Sequence, residues 1–133
     1  MKKVLVTGSS GFIAFHAIEN LINSGFEVLG VDIVEPKNPF KGCNYLKKNV
    51  IDLTEKDLDG IDYVIHLACD TNIKNSIENP VQTTSNNLGI TVKLLSLSSK
   101  KNIKKLIFPS TASMYGNNAI PWKEDMVSDP GEP

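Results

Sequence analysis

Short apolar runs alternate along this chain with longer stretches of helical periodicity. A first helix is predicted from near Gly11, and Gly25 ends it as a C-terminal cap. A second, long helix is predicted from near Pro80, where proline is well tolerated, to about Lys100. The first helix carries the apolar stripe Ala14, Ala17, Ile18, Leu21 and Ile22, and the second places Leu88, Val92 and Leu95 on one face. The apolar runs predict five strands at 3–7, 26–31, 44–50, 62–67 and 105–108.

The alternation of strands and helices predicts an α/β fold with a doubly wound parallel sheet. Right-handed crossovers favour the strand order 3-2-1-4-5. Prolines and Gly42 predict a loop over 35–43, and residues 52–58 are expected to form about one helical turn. Glycine and proline also mark 110–133 as a loop or mobile tail.

The length of 133 residues predicts one domain, and 41% hydrophobic residues are enough for a packed core. The net charge of −1 argues against a nucleic-acid-binding surface, which would be basic. All 14 basic side chains are lysines, so the chain offers no arginine as a bidentate partner for a phosphate.

Targeting and redox signals point to the cytoplasm. Lys2 and Lys3 precede only a short apolar run, which is not the pattern of a signal peptide, and no stretch approaches transmembrane length. Cys43 and Cys69 do not form a metal-type cluster, and free thiols are favoured over a disulfide. We therefore expect a soluble, cytoplasmic protein without a metal site or membrane partner.

The strongest chemical signal lies at the start of the chain, where a strand ends in Thr7, a glycine turn follows and a helix begins. Gly8 permits a sharp turn, and Gly11 leaves room for a phosphate to approach the backbone. The following helix directs its free N–H groups and its positive dipole end to the same place. Asp32 comes 18 positions after Ala14, at the end of the second strand, where a carboxylate can accept both hydroxyls of an adenosine ribose. The turn and the acid together indicate NAD; the competing interpretation is an ordinary tight turn and a solvated acid.

Several motifs resemble, in order and spacing, those of the extended short-chain dehydrogenases, the NAD-dependent epimerases/dehydratases of nucleotide sugars. The resemblance covers essentially the whole chain and implies a Rossmann-like NAD-binding fold. Four positions depart from the family pattern: Ala14 replaces a glycine, Phe15 takes an often small position, Cys69 replaces an alanine and Ile90 replaces a glycine. The matching motifs are Thr7-Gly8-Ser9-Ser10-Gly11-Phe12-Ile13-Ala14, Asp52-Leu53, His66-Leu67-Ala68-Cys69, Asn87-Leu88-Gly89-Ile90-Thr91 and Ser110-Thr111-Ala112-Ser113-Met114-Tyr115-Gly116.

The resemblance assigns residues to the site. Thr111 would be the hydroxyl that hydrogen-bonds the substrate, although it could simply cap the loop after the fifth strand. Asp52 could be a helix N-cap instead of an adenine contact. His66 is expected to be a buried core histidine and not a ligand or base. The cofactor-binding residues implied are Gly8, Ser10, Gly11, Phe12, Ile13, Asp32, Ile33, Asp52, Leu53, Leu67, Ala68, Cys69 and Asn87.

The family's chemistry uses a Tyr-x-x-x-Lys pair, in which the lysine lowers the pKa of the tyrosine that acts as base. This chain has three tyrosines, and none has a lysine four positions later. The residue in that place is Asn49 for Tyr45, Leu67 for Tyr63 and Ala119 for Tyr115.

We therefore expect residues 1–116 to be an incomplete NAD-binding core, and 117–133 to be a tail that leads to the missing catalytic helix. The chain would be the N-terminal part of a nucleotide-sugar epimerase or dehydratase that passes hydride to NAD during oxidation at sugar C4, and it would be inactive alone. Its exposed sheet edge predicts self-association. The alternatives are a non-catalytic NAD-binding module and a nonfunctional truncated fold.

Overall fold

A computed structural model describes residues 1–130; Gly131, Glu132 and Pro133 of the predicted tail lie outside them. Five parallel strands form one sheet in the order β3-β2-β1-β4-β5, which confirms the predicted topology. The strands are β1 (Lys3–Thr7), β2 (Glu27–Asp32), β3 (Cys43–Lys47), β4 (Tyr63–His66) and β5 (Lys105–Ile107). The helices are α1 (Phe12–Asn23), α2 (Ile73–Glu78) and α3 (Pro80–Lys100).

The central strand β1 supplies both faces of the core, because successive side chains of a strand point to opposite sides. Val4 and Val6 pack on one side of the sheet with Ala14 and Ile18 of α1. Leu5 packs on the other side, where α3 contributes its buried residues. Helices thus pack on both faces of the sheet at its centre, as the α/β prediction requires, while Ile107 of β5 stays 50% exposed.

The long helix forms as predicted, but its core-facing side differs from the apolar stripe that the sequence makes most visible. Leu88, Val92 and Leu95 do share a face, yet they are 61%, 55% and 49% exposed. The core side carries Thr83, Ile90, Leu94 and Leu97 instead. Two apolar stripes run along the helix, and periodicity alone does not tell which one meets the sheet.

The third strand is shorter than predicted because the chain turns after it. Asn49 caps a 3₁₀ turn at Val50–Asp52, where its side chain accepts a hydrogen bond from Ile51 N at 3.2 Å. A second 3₁₀ turn, Glu55–Leu58, begins with a capping box between Thr54 and Asp57. The predicted turn at 52–58 is therefore present as two 3₁₀ turns.

Two elements fall in segments for which the sequence predicts no secondary structure. The helix α2 has no buried residue, and Asn72 caps it by accepting a hydrogen bond from Asn75 N at 3.0 Å. A 3₁₀ turn occupies Ala112–Tyr115 in the predicted terminal loop. Neither element has a buried apolar stripe, so hydrophobic periodicity cannot reveal it. Across 1–130, no helix combines the length and the apolar character needed to cross a bilayer.

Candidate functional site

A cleft of about 570 Å³ lies at the carboxyl edge of the sheet, next to β1. This is where the strand order changes direction, because β2 lies on one side of β1 and β4 on the other. The loop after β1, the end of β2, the segment after β4 and the start of α3 all contribute to its wall. Seven of the predicted cofactor residues line it: Gly8, Gly11, Asp32, Ile33, Leu67, Ala68 and Cys69.

The glycine loop, residues 8–11 between β1 and α1, lies directly against the end of β4. Gly8 has φ +68°, a left-handed conformation that favours glycine. A Cβ there would lie 2.8 Å from both Ala68 N and Leu67 C, so it would collide with backbone. At Gly11 a Cβ would meet only Gly8 O, at 3.2 Å, and the space above it is otherwise open. The loop therefore needs glycine at position 8 for packing, while Gly11 leaves a cradle that a ligand group can enter.

The first turn of α1 presents free amides to this cradle. Gly11 N donates to Gly8 O at 3.0 Å, and the first bond of the helix runs from Phe15 N to Gly11 O at 3.0 Å. The N–H groups of Phe12, Ile13 and Ala14 donate to no acceptor within the described chain. Such unpaired amides, together with the positive end of the helix dipole, favour an anion. The site thus fits a diphosphate.

Asp32 ties the glycine loop to the end of β2. Its Oδ2 accepts a hydrogen bond from Ser10 N at 2.9 Å, and its Oδ1 accepts one from Val34 N at 3.2 Å. Ser10 Oγ also donates to Val34 O at 2.9 Å. A carboxylate offers about four lone-pair sites, so both oxygens can still accept a ribose hydroxyl. Ser10 therefore holds the loop and the acid together, with its N–H already used.

A buried hydroxyl joins β1 to β4 beneath the cleft. Thr7 is fully buried, and its Oγ1 accepts hydrogen bonds from Leu67 N and Ala68 N, both at 3.2 Å. The same Oγ1 lies 2.7 Å from His66 Nδ1. The two amides use both acceptor sites of the Thr7 hydroxyl, so the hydroxyl donates its one proton in a hydrogen bond to Nδ1. His66 is therefore neutral and carries its own proton on Nε2.

The Nε2 proton continues the chain of hydrogen bonds to α3. It is donated to Thr91 Oγ1 at 3.1 Å, and Thr91 Oγ1 donates to Asn87 O at 2.8 Å. His66 is 1% exposed, and this burial lowers its pKa. The expectation of a satisfied core histidine is thus confirmed.

The buried neutral imidazole predicts an acid-sensitive fold. The unfolded chain binds a proton at His66 near the ordinary pKa of about 6.5, whereas the folded chain binds it only at lower pH. Stability is therefore retained above about pH 6.5 and falls as the pH drops towards the folded pKa, by at most about 1.4 kcal/mol per pH unit from this group. Urea unfolding at several pH values measures the slope.

Two variants isolate this contribution. His66→Gln should be less stable at neutral pH but should lose less stability than the parent between pH 7 and pH 5. His16→Gln is the matched control, because His16 is exposed on α1, and it should follow the parent. A His66→Gln slope equal to that of the parent would contradict the assignment.

Asn87 holds the segment that follows β4. Its Oδ1 accepts from Asp70 N at 2.9 Å, and its Nδ2 donates to Asp70 O at 3.0 Å. This pair of bonds fixes the backbone beside Cys69, whose thiol has a pKa raised by burial and, secondarily, by the charge of Asp70. Asn87 is thus engaged with the cleft wall, while Leu67, Ala68 and Cys69 face the cleft.

Seven predicted site residues are not among those that line the cleft: Ser10, Phe12, Ile13, Asp52, Leu53, Asn87 and Thr111. Leu53 is fully buried in the core, and its N–H donates to Val50 O at 3.1 Å. Asp52 is exposed at the end of the same 3₁₀ turn. Thr111 is exposed, and its Oγ1 accepts from Ser113 N at 3.2 Å as the cap of the 3₁₀ turn that follows. The roles of Asp52, Leu53 and Thr111 towards adenine and substrate stay predictions.

The cleft is also lined by residues that were not among the predicted cofactor-binding residues. Lys48 is one of them, and its Nζ lies 2.8 Å from Asp57 Oδ2. Burial raises the pKa of Asp57, but hydrogen bonds from Lys48 and Thr54 together outweigh it, so the pKa is lowered. The sheet topology could have indicated these residues, since most of them follow the end of a strand or lie in the first half of α3. The cleft-lining residues in this group are Val31, Lys48, Asn49, Val50, Asp70, Gln82, Thr83, Asn86 and Ile90.

Comparison with known proteins agrees with this geometry. The model of the NAD dependent epimerase/dehydratase family matches residues 4–133. A UDP-glucose 4-epimerase of Pisum sativum is 36% identical over 143 aligned positions, which cover 93% of this chain and 41% of that protein. The chain thus spans about two fifths of the length of this relative.

Solved structures give the same result. UDP-glucose 4-epimerase from Bifidobacterium longum, in complex with NAD⁺ and UDP, has a TM-score of 0.85 and 34% identity, with 96% of this chain and 43% of that chain covered. An NAD-dependent NDP-hexosamine 5,6-dehydratase involved in tunicamycin biosynthesis has a TM-score of 0.82 and 31% identity, with 98% and 44% covered.

Proposed function

Because the chain belongs to the NAD-dependent epimerase/dehydratase family, we propose that residues 1–116 bind NAD as the N-terminal part of a nucleotide-sugar epimerase or dehydratase. One observation carries the proposal: Gly11, which directly precedes the free amides of α1, and Asp32 line the same cleft. Residues 117–133 would lead from this core towards the catalytic helix of the intact enzyme.

The two halves of the site suit different parts of the cofactor. The amides of Phe12 and Ile13 would hold the diphosphate, and Asp32 would accept the hydroxyls of the adenosine ribose. The segment Leu67–Cys69 forms the opposite wall and would face the nicotinamide half. In the intact enzyme, bound NAD would supply the hydride acceptor for oxidation at sugar C4, and these residues would bind and orient it.

The site favours NAD over NADP. The 2′-phosphate of NADP would approach the carboxylate of Asp32, and like charges at close range repel. All basic residues of the chain are lysines, so no arginine offsets that repulsion with a bidentate contact. Asp32 would therefore both bind the ribose of NAD and discriminate against NADP.

This chain alone is proposed to bind the cofactor without turnover. None of its tyrosines is followed four positions later by lysine, so the base that takes the substrate proton is not among its residues. The names of the relatives and solved neighbours describe enzymes of nucleotide sugars. We propose that the intact enzyme, of which this chain would be the N-terminal part, uses a substrate of that class. A purely NAD-binding module is the second candidate, favoured by the same absence of the pair.

Calorimetric titration of the purified chain with NAD and with NADP tests the proposal. We expect saturable binding of NAD, weaker binding of NADP and no reduction of NAD when UDP-glucose is added. Absence of NAD binding at millimolar concentration would refute it and leave a nonfunctional fold. Reduction of NAD by the chain alone would contradict the proposed lack of turnover.

Self-association is a further part of the proposal. Leu88, Val92 and Leu95 form an exposed apolar stripe on α3, and β5 lies at the end of the sheet order in the described chain. Burial of such surface against a second molecule is favourable. Light scattering should show a dimer or larger species that Val92→Glu dissociates, while Val127→Glu, on an exposed loop, should leave it unchanged. A monomeric parent would contradict this expectation.

We propose that the chain is located in the cytoplasm. It is supported by the two free thiols, since Cys43 and Cys69 are unpaired, as is usual in a compartment where cysteines stay reduced.

A further inference from the structure

Gly30 leaves a gap in the surface of β2, and Ser9, the second residue of the glycine loop, fills it. A Cβ at Gly30 would lie 2.8 Å from Ser9 Cβ, 2.9 Å from Ser9 Oγ and 2.8 Å from Tyr45 Cδ1. Real Cβ atoms essentially never approach another heavy atom so closely. Ser9 is only 4% exposed, so its side chain fills the space that a side chain at position 30 would need.

The fit is steric. Ser9 Oγ is buried and has no hydrogen-bond partner in the described residues, so no polar bond selects its place. Its backbone N–H donates to Val31 O at 3.3 Å, and the next amide, Ser10 N, donates to Asp32 Oδ2 at 2.9 Å. Val31 and Asp32 thus hold Ser9 and Ser10 by hydrogen bonds. Gly30 accommodates Ser9 because it has no side chain.

We propose that Gly30 is a positioning residue of the dinucleotide site, because the space over its Cα seats Ser9 and so sets the loop amides at their distance from Asp32. This inference rests on the proposed binding of NAD. The substitution Gly30→Ala would force Ser9 away from β2, since backbone and β-carbon atoms cannot swing aside as the end of a long side chain can. Movement of Ser9 pulls Ser10 N from Asp32 and shifts the start of α1, where the diphosphate would bind.

A methyl group at position 30 would also collide with Tyr45. The variants must therefore distinguish the contact with Ser9 from the contact with Tyr45. Its ring lies on β3, and its hydroxyl accepts a hydrogen bond from Phe40 N at 3.2 Å, which holds the ring in place. The proposal requires that relief at Ser9, and not relief at Tyr45, restores the site.

The experiment is a double-mutant cycle with NAD affinity and thermal unfolding of the ligand-free chain as readouts. Gly30→Ala should weaken NAD binding about tenfold. Ser9→Gly/Gly30→Ala should recover at least about threefold of that loss, although Ser9→Gly alone should bind no tighter than the parent. Gly30→Ala/Tyr45→Leu should bind NAD no better than Gly30→Ala. Gly89→Ala is the matched control, because a Cβ there would meet only Ile51 Cδ1, at 3.8 Å, and its NAD affinity should equal that of the parent.

A second comparison reports positioning and not mere stability. The loop amides would contact the diphosphate, so Gly30→Ala should weaken ADP binding more than adenosine binding in NMR titrations at a temperature where every variant is folded. Equal losses for the two ligands, an unchanged NAD affinity, or a double variant no better than Gly30→Ala would each overturn the proposal.

Two remaining outcomes also decide the matter. If Gly30→Ala fails to fold, Ser9→Gly/Gly30→Ala must restore folding, and failure to do so overturns the proposal. If the parent chain binds no NAD, the proposed function fails and so does the role of Gly30 in it. The packing of Ser9 against Gly30 is then still visible as non-additive unfolding temperatures, so the two failures are distinguishable.

Discussion

Gly8→Ala is expected to lower the stability of the folded chain by about 3 kcal/mol, through backbone strain and collision together. The left-handed φ of +68° is unfavourable for alanine, and the new methyl group would lie 2.8 Å from the backbone of Leu67 and Ala68. Relief requires the loop to move away from β4, which would also break the hydrogen bonds from Leu67 N and Ala68 N to Thr7 Oγ1. Urea unfolding of parent and variant measures the loss.

Gly60→Ala separates strain from collision. Gly60 has φ +74°, but a Cβ there would meet nothing within 4 Å. Its substitution should therefore cost about 1 kcal/mol, the strain alone. The difference between the two variants measures the contact between the glycine loop and β4. Equal losses would show that this contact does not constrain the loop.

Asp32→Ala is expected to weaken NAD binding by about 1.5–3 kcal/mol, roughly 10- to 150-fold. The variant loses the charged acceptor for the ribose hydroxyls and also releases Ser10 N and Val34 N, which the carboxylate now holds. Calorimetric titration with NAD measures the change. Glu19→Ala, which removes an exposed acid on α1, should bind NAD like the parent.

Asp32→Asn isolates the role of the charge. Asparagine keeps one acceptor oxygen but removes the repulsion of a 2′-phosphate. The ratio of NADP affinity to NAD affinity should therefore rise, even though NAD binding weakens. An unchanged affinity of Asp32→Ala for NAD, or an unchanged ratio in Asp32→Asn, would refute the contact with the ribose.

The sequence predicts much of this fold because each strand is a separate apolar run and each crossover obeys one handedness. The position of Asp32 follows from its spacing after the glycine turn, and the structure brings the two together through Ser10 N. These features depend on residues near one another in the chain, or on rules of sheet topology. The strand order and the glycine–acid pair could therefore be predicted without coordinates.

Features that depend on distant residues could not be predicted in this way. The choice between the two apolar stripes of α3 depends on which one meets the sheet, and the more conspicuous Leu88 stripe is exposed. The fit of Ser9 into the space over Gly30 joins two residues of ordinary local character. Leu53 illustrates the same limit, since its motif suggests a cofactor contact while its side chain is core and its N–H is bonded to Val50 O.

The central claim is that the free amides at the start of α1 and the carboxylate of Asp32 hold one dinucleotide. An amide NMR titration of the isotope-labelled chain with NAD tests it most directly. We predict saturable shifts of Phe12, Ile13 and Ser10, whose N–H groups form the cradle or bond to Asp32. Shifts confined to residues outside this cleft, or no shifts at millimolar NAD, would contradict the claim.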